Sequence, residues 1–211
     1  ATGQGVPKDV SEAIKWMRTA AEQNDAQSQF GMAYFYANGV GMTKDEAEAA
    51  SWFQKAAEQN YVQAQVRLGW AYANGQGVRS NQAQAVKWYR RAAEQNYAWA
   101  QNELGWCLAN GFGVATNQAE AINWYRQAAG QGLSEGMNNL AWVLATSANT
   151  ATRDGSNAVL FAEKAVAATN RKVPWNLGTL AAAYAETGQF EKAVKAQEEA
   201  IALLQTEADK N

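Results

Sequence analysis

Apolar positions recur along the chain at helical spacing, and the pattern itself recurs every 36 residues. In residues 61–96, Ala64, Leu68 and Tyr72 fall at i, i+4 and i+8 and make one stripe on a first helix. Asn74-Gly75-Gln76-Gly77 then stops it, because Gly and Asn enter the left-handed conformation that closes a helix. Val78 gives the turn an apolar anchor, as do Val6, Met42 and Val114 in the other copies. A second helix opens on Asn81-x-x-Gln84, and Asp9-x-x-Glu12, Asp45-x-x-Glu48 and Asn117-x-x-Glu120 have the same capping-box form. Its buried face carries Ala85, Trp88, Tyr89 and Ala92, and it ends at Asn24, Asn60, Asn96 or Gly132, residues suited to a left-handed stop.

Trp16, Trp52, Trp88 and Trp124 mark the period, with Gly5, Gly41, Gly77 and Gly113 ahead of them and an Ala pair one turn behind. A fixed period in this range means one helical hairpin stacked on copies of itself. The expected fold is all-α, a right-handed superhelix of stacked antiparallel helix pairs with eleven helices in all. The four indoles are expected to be mostly buried, each against small Ala side chains. A buried Trp covers about 150–250 Å², worth about 4–6 kcal/mol gross.

From Leu133 the pattern changes: Leu140, Ala141 and Leu144 keep the first-helix stripe, but the Gly-x-Gly turn is gone. The polar stretch 146–157 reads as a longer loop, followed by helices over 158–169, 175–186 and 190–204. No Gly/Ser/Pro linker intervenes, so residues 1–132 and 133–211 are expected to form one continuous array. The chain opens at Thr2-Gly3-Gln4-Gly5-Val6, the middle of a unit, and so reads as a piece of a longer protein. The first helix, from about Asp9 to Gln23, should then be a ragged end, its face around Ile14, Trp16 and Met17 open to self-association.

Composition removes several classes of function. A net charge of −2 provides no basic stripe for nucleic acid. No apolar run approaches the roughly 18 residues of a membrane span, and these residues contain no signal-type segment, which leaves the compartment open. With no His and one Cys, Cys107, an internal disulfide, Ser-His-Asp or Cys-His catalysis and the usual zinc sites all lack their parts. The Gly-x-Gly turns follow helices, not strands, and so fail the context of a nucleotide loop. Neither enzyme, metal nor cofactor is expected.

Residues about 3–132 resemble Sel1-like repeats, through Ala64-x3-Leu68-Gly69-x2-Tyr72-x2-Gly75-x-Gly77-Val78 and Ala85-x2-Trp88-Tyr89-x2-Ala92-Ala93-Glu94-Gln95-Asn96. Gly3-x-Gly5-Val6-Pro7-Lys8-Asp9 is similar to the same family. Residues about 133–206 resemble tetratricopeptide repeats, through Leu180-Ala181-x2-Tyr184-x3-Gly188-x-Phe190-x2-Ala193 and Ala200-Ile201. Both resemblances imply right-handed arrays of helix pairs that serve as adaptors or scaffolds, and neither implies an enzyme. The chain departs from the cysteine-rich branch of the Sel1-like family, which carries a disulfide in each repeat.

The binding face follows from helical geometry. Trp70 lies two residues after Leu68, about 200° around the helix, so it cannot share the stripe packed on its own second helix. Tyr34, Trp106 and Trp142 are its equivalents, and in tetratricopeptide repeats the matching position lines the concave groove. Either these rings open onto such a groove or each stacks on the adjacent first helix. Asn38, Asn74 and Asn110 lie one turn further along and read either as peptide-binding amides or as helix stops. Asn102 and Asn138, one turn before Trp106 and Trp142, have no helix-end role to explain them.

Arg67 and Glu103 occupy equivalent positions, for which an inter-repeat ion pair is the plain structural reading. Trp99 and Phe112 depart from the repeat, and departures are where specificity can be written. The groove lacks a Lys/Arg cluster, which makes acidic chain termini poor ligands. The expected function is a protein- or peptide-binding adaptor or scaffold. The alternatives are a self-assembling structural module, or oligosaccharide binding on the aromatic row.

Overall fold

The structure is a computed structural model describing residues 9–208, which form eleven α-helices and, among the described residues, no strand. The turn residues Gly5 and Val6 of the leading half repeat lie outside them. The helices are α1 (Val10–Glu22), α2 (Ala26–Asn38), α3 (Glu46–Glu58), α4 (Val62–Asn74), α5 (Gln82–Glu94) and α6 (Ala98–Asn110). They continue with α7 (Gln118–Gly130), α8 (Ser134–Thr146), α9 (Gly155–Ala168), α10 (Pro174–Glu186) and α11 (Phe190–Ala208). Within α1–α5 and within α7–α11, consecutive helices pack against one another in hairpins that stack, as in an all-α solenoid.

The start and stop signals act as their chemistry requires. Asp9, Asp45, Asn81 and Asn117 each accept a hydrogen bond from the backbone N–H three residues on. Asn24, Asn60 and Asn96 hold φ of 69°, 64° and 63°, and Gly132 holds 87°. Gly77 needs its lack of a side chain twice over. Its φ is +67°, and a Cβ there would run into the backbone carbonyl of Glu46 where α3 begins.

The chain forms two compact units. One comprises the chain through Ala100 with Asn110–Thr116, and the other Gln101–Ala109 with Asn117 onward. In the first, Met32, Ala56, Ala57, Leu68, Trp52 and Trp88 share one core. Leu104, Leu108, Leu140, Leu144 and Leu177 are buried in the second.

The four indoles do not share one fate. Trp52 and Trp88 are buried, Trp124 is half-buried, and Trp16 is 70% exposed, which corrects the expectation of four equivalent core residues. The residue one turn on separates them. Lys55 lies 3.9 Å from the Trp52 ring centre and Arg91 4.6 Å from that of Trp88, so each cation covers an outer ring face. Thr19 and Gln127 take that place after Trp16 and Trp124. There the indole N–H donates instead to the carboxylates of Glu12 and Glu120, at 3.4 and 3.2 Å.

A second difference concerns α9, which begins at Gly155 and shortens the expected loop. Asp154 caps it by accepting from the Asn157 N–H at 3.0 Å.

The first helices α2, α4 and α6 each also bury one glutamine that the apolar pattern does not reveal. Gln29, Gln65 and Gln101 have 3%, 0% and 0% of their surface exposed. Their Oε1 atoms accept from Gln59, Gln95 and Gln131 at 2.8, 2.7 and 2.8 Å. Gln29 and Gln65 also donate to the carbonyls of Ala21 and Ala57, at 3.2 and 3.3 Å. Each of these hairpins is thus tied through a buried amide, a device with one satisfied geometry and therefore one register.

Candidate functional site

In the first unit the ring row is open. Tyr34 is 49% exposed and Trp70 37%, so neither ring is packed away as core. Tyr89 of α5 packs closely on α4 at Gly69, where α4 has no side chain.

Two small recesses flank this row. The first, of about 230 Å³, is walled by Tyr34 and Asn38 of α2, Phe53 of α3, and Arg67 and Trp70 of α4. The second, of about 310 Å³, is walled by Phe30, Gln63, Val66, Tyr97 and Trp99, and again by Arg67 and Trp70. Arg67 and Trp70, one helical turn apart, therefore stand on the common wall. Trp99 is half-buried, its ring edge-on to Tyr89 with centres 6.0 Å apart. Lys44, at the first recess, is paired with Glu46 at 2.7 Å, which leaves Arg67 as the cation there without a partner among the described residues.

The structure thus brings Tyr34, Asn38, Arg67, Trp70 and Trp99 together. The helix-end amides are partly committed to their own helices. Asn38 donates to the carbonyl of Tyr34 and Asn74 to that of Trp70, each at 2.9 Å. Asn74 lines neither recess, and Asn110 is exposed at the matching end of α6.

In the second unit Trp106 and Trp142 are 44% and 50% exposed. The neighbouring amides behave differently from the open pair that helical spacing suggests. Asn102 is buried, its Nδ2 donating to Glu103 Oε1 at 3.1 Å and its Oδ1 accepting from Asn139 at 2.9 Å. Asn138 is half-buried, and its Oδ1 is shielded from solvent without a hydrogen-bond partner.

Burial pushes the Glu103 carboxyl above the usual carboxylate range. The Asn102 hydrogen bond opposes this, and the charge of Glu135 adds to it. The Cys107 thiol is pushed up to about 11, by burial and then by Glu103. At neutral pH it is a buried thiol and not a nucleophile. No group of three or more metal-ligating side chains occurs among the described residues. No helix among them is long and apolar enough to cross a membrane.

The sequence model of the Sel1 repeat matches residues 1–25, 26–61, 62–97, 100–133 and 134–170. The fifth match lies within the stretch that resembles tetratricopeptide repeats. Among solved structures, a Sel1 repeat protein from Oxalobacter formigenes is 30% identical with a TM-score of 0.74, over 93% of this chain and 78% of that one. The protective antigen c5321 of uropathogenic Escherichia coli, described as having an SLR fold, is 29% identical with a TM-score of 0.53. That alignment takes in 94% of this chain but spans half of the antigen, 50%. Cysteine rich protein B of Helicobacter pylori shares the fold at 23% identity and a TM-score of 0.50, over 63% of this chain and 96% of that one. No curated protein matches the chain.

Proposed function

The chain belongs to the Sel1 repeat family, a family of non-catalytic helical scaffolds that generally mediate protein interaction, and from that premise we propose that it binds an extended peptide segment of a partner protein. The observation that carries this is the pair of recesses meeting at Arg67 and Trp70. A pocket for a cofactor or metabolite is typically about 300–1,000 Å³ and encloses most of its ligand. Two open recesses, one below and one at the low end of that range, on either side of a standing indole suit successive side chains of a peptide laid across α4. Trp70 is the anchor, Tyr34 and Trp99 are the outer walls, and Asn38 supplies an amide oxygen for a backbone N–H. Trp106 and Trp142 offer the same kind of ring surface on the second unit.

The test is Trp70→Ala, assayed against peptides selected from a displayed dodecapeptide library on the full chain. Loss of a central aromatic anchor costs about 2 kcal/mol or more, so affinity should fall roughly 30-fold. The helical CD spectrum should stay unchanged, since the ring is not core. Unfolding as severe as that of Trp88→Ala would overturn the reading. So would selection of sugars, but not peptides, in a parallel glycan array.

A second reading is self-association through α1. The 70% exposure of Trp16 favours it, as a large apolar ring in the open is a common mark of an interface. A molar mass by light scattering that stays monomeric at high concentration would remove it.

A further inference from the structure

Building on the peptide-binding reading, we infer that the segment seated on α4 carries an internal acidic residue, its carboxylate received by Arg67 and its apolar neighbours by the two flanking recesses. Charge is the first support. Arg67 is exposed, and its guanidinium has no hydrogen bond or ion pair with any of the described residues. The other ionic groups at the first recess, Lys44 and Glu46, neutralise each other at 2.7 Å. The net character of this surface is therefore that of one unpaired cation among aromatic walls, in a chain whose overall charge is −2. A guanidinium offers a planar fork of donors that matches a carboxylate, and bonding between charged partners is stronger than between neutral ones.

Position on the helix is the second support. Gly31, Glu103 and Asn139 occupy the place of Arg67 in the other repeats, so this position is not part of the frame that packing repeats. The charge is particular to α4, the helix that carries Trp70.

Topology decides between the two sources of a carboxylate. Arg67 lies on the wall common to both recesses, not at the closed end of one. A segment that fills both recesses must continue past Arg67 in each direction. The group that meets it is then an Asp or Glu side chain within the segment and not a terminal carboxylate.

Dodecapeptide libraries displayed on phage, selected separately on the full chain and on its R67E variant, test this directly. The parent chain should enrich peptides with an internal Asp or Glu between apolar residues. Synthetic versions with that residue changed to Asn or Gln should bind about tenfold more weakly. Arg67→Gln should cause a similar loss, and R67E should enrich Lys or Arg at the same place. Thermal melting of both variants, expected to match the parent, separates loss of contact from loss of fold. Trp70-dependent peptides that show no acidic preference and ignore Arg67→Gln would overturn this inference and leave the peptide-binding reading standing. Peptides whose affinity collapses on C-terminal amidation would overturn the internal placement. Failure to obtain any Trp70-dependent peptide would sink the inference together with the reading it rests on.

Discussion

Gln65→Leu tests whether the buried amides hold the repeat in register. Gln65 is wholly buried and makes three hydrogen bonds, to the Ala57 carbonyl at 3.3 Å, to Asn60 Oδ1 at 3.4 Å, and from Gln95 Nε2 at 2.7 Å. Leucine fits a similar space but leaves those partners behind. The loss is less than three full bonds, because two partners have second contacts. Ala57 O also accepts from the Asn60 N–H at 3.0 Å, and Gln95 Nε2 also reaches the Arg91 carbonyl at 3.3 Å.

A net hydrogen bond is worth about 1 kcal/mol, and an orphaned buried group costs about 1–3 kcal/mol. The expected destabilisation is therefore about 2 kcal/mol, or about 4–8 °C in melting temperature at this chain length. Thermal and urea melts followed by CD provide the measurement, with Gln95→Leu and the double variant completing a cycle. Removing both partners together should cost less than the sum of the singles, by about 1 kcal/mol. Equal stability of Gln65→Leu and the parent, or strict additivity, would mean that the amide is a passenger and that apolar packing alone sets the register. The result bears on the site, since Gln65 and Arg67 share α4 and the same register places both.

Trp88→Ala should cost about 3–5 kcal/mol as a core truncation, whereas Trp16→Ala should change the melt by less than about 1 kcal/mol. Comparable losses in the two variants would contradict the different burial of these indoles. Glu103→Gln should raise the melting temperature near neutral pH, because burial and Glu135 make the folded chain hold that proton to higher pH than the unfolded chain does. Ionisation then costs stability above the ordinary carboxylate value, so the gain should shrink as pH falls through the carboxylate range toward about pH 3. A gain of the same size at both ends, in melts of the two proteins, would rule out ionisation as its cause.

Repetition made the frame readable. Four N-cap side chains, three left-handed asparagines and the Gly-x-Gly turns are local devices, each formed in the structure. The fourth residue of the capping-box form does not bond back, since the N–H groups of Asp45, Asn81 and Asn117 donate to the carbonyls of Tyr36, Tyr72 and Leu108 instead. Burial was less readable because it depends on neighbours that the period does not repeat. Trp16 and Trp52 occupy one position of the pattern, yet one has Thr19 a turn away and the other Lys55. Gln65 sits beside Ala64 and one turn before Leu68, where a polar letter suggests the solvent side. It is buried because Gln95 comes back to meet it, 30 residues later. The 36-residue recurrence of both glutamines was the available signal, since a polar residue repeated with the core is one that the core uses.

The same contrast separates scaffold from recognition. Many positions repeated in this chain answer to packing: the Ala pairs at 56–57 and 92–93, the paired glutamines, and glycines such as Gly77 that leave no room for a side chain. Sequence-specific recognition can also use a position that varies from one repeat to the next. The place of Arg67 varies in that way, with Gly31, Glu103 and Asn139 as its counterparts: no side chain, an acid and an amide. Asn102 shows why exposure has to accompany variation, because its amide is consumed by Glu103 and Asn139 and has nothing left for a ligand. Arg67 has both the variation and an unspent charge, and Trp70 beside it has both an open face and a rigid helix. On the proposed peptide-binding reading, that coincidence of a guanidinium unpaired among the described residues and an anchored ring on α4 is where a partner's sequence would be read.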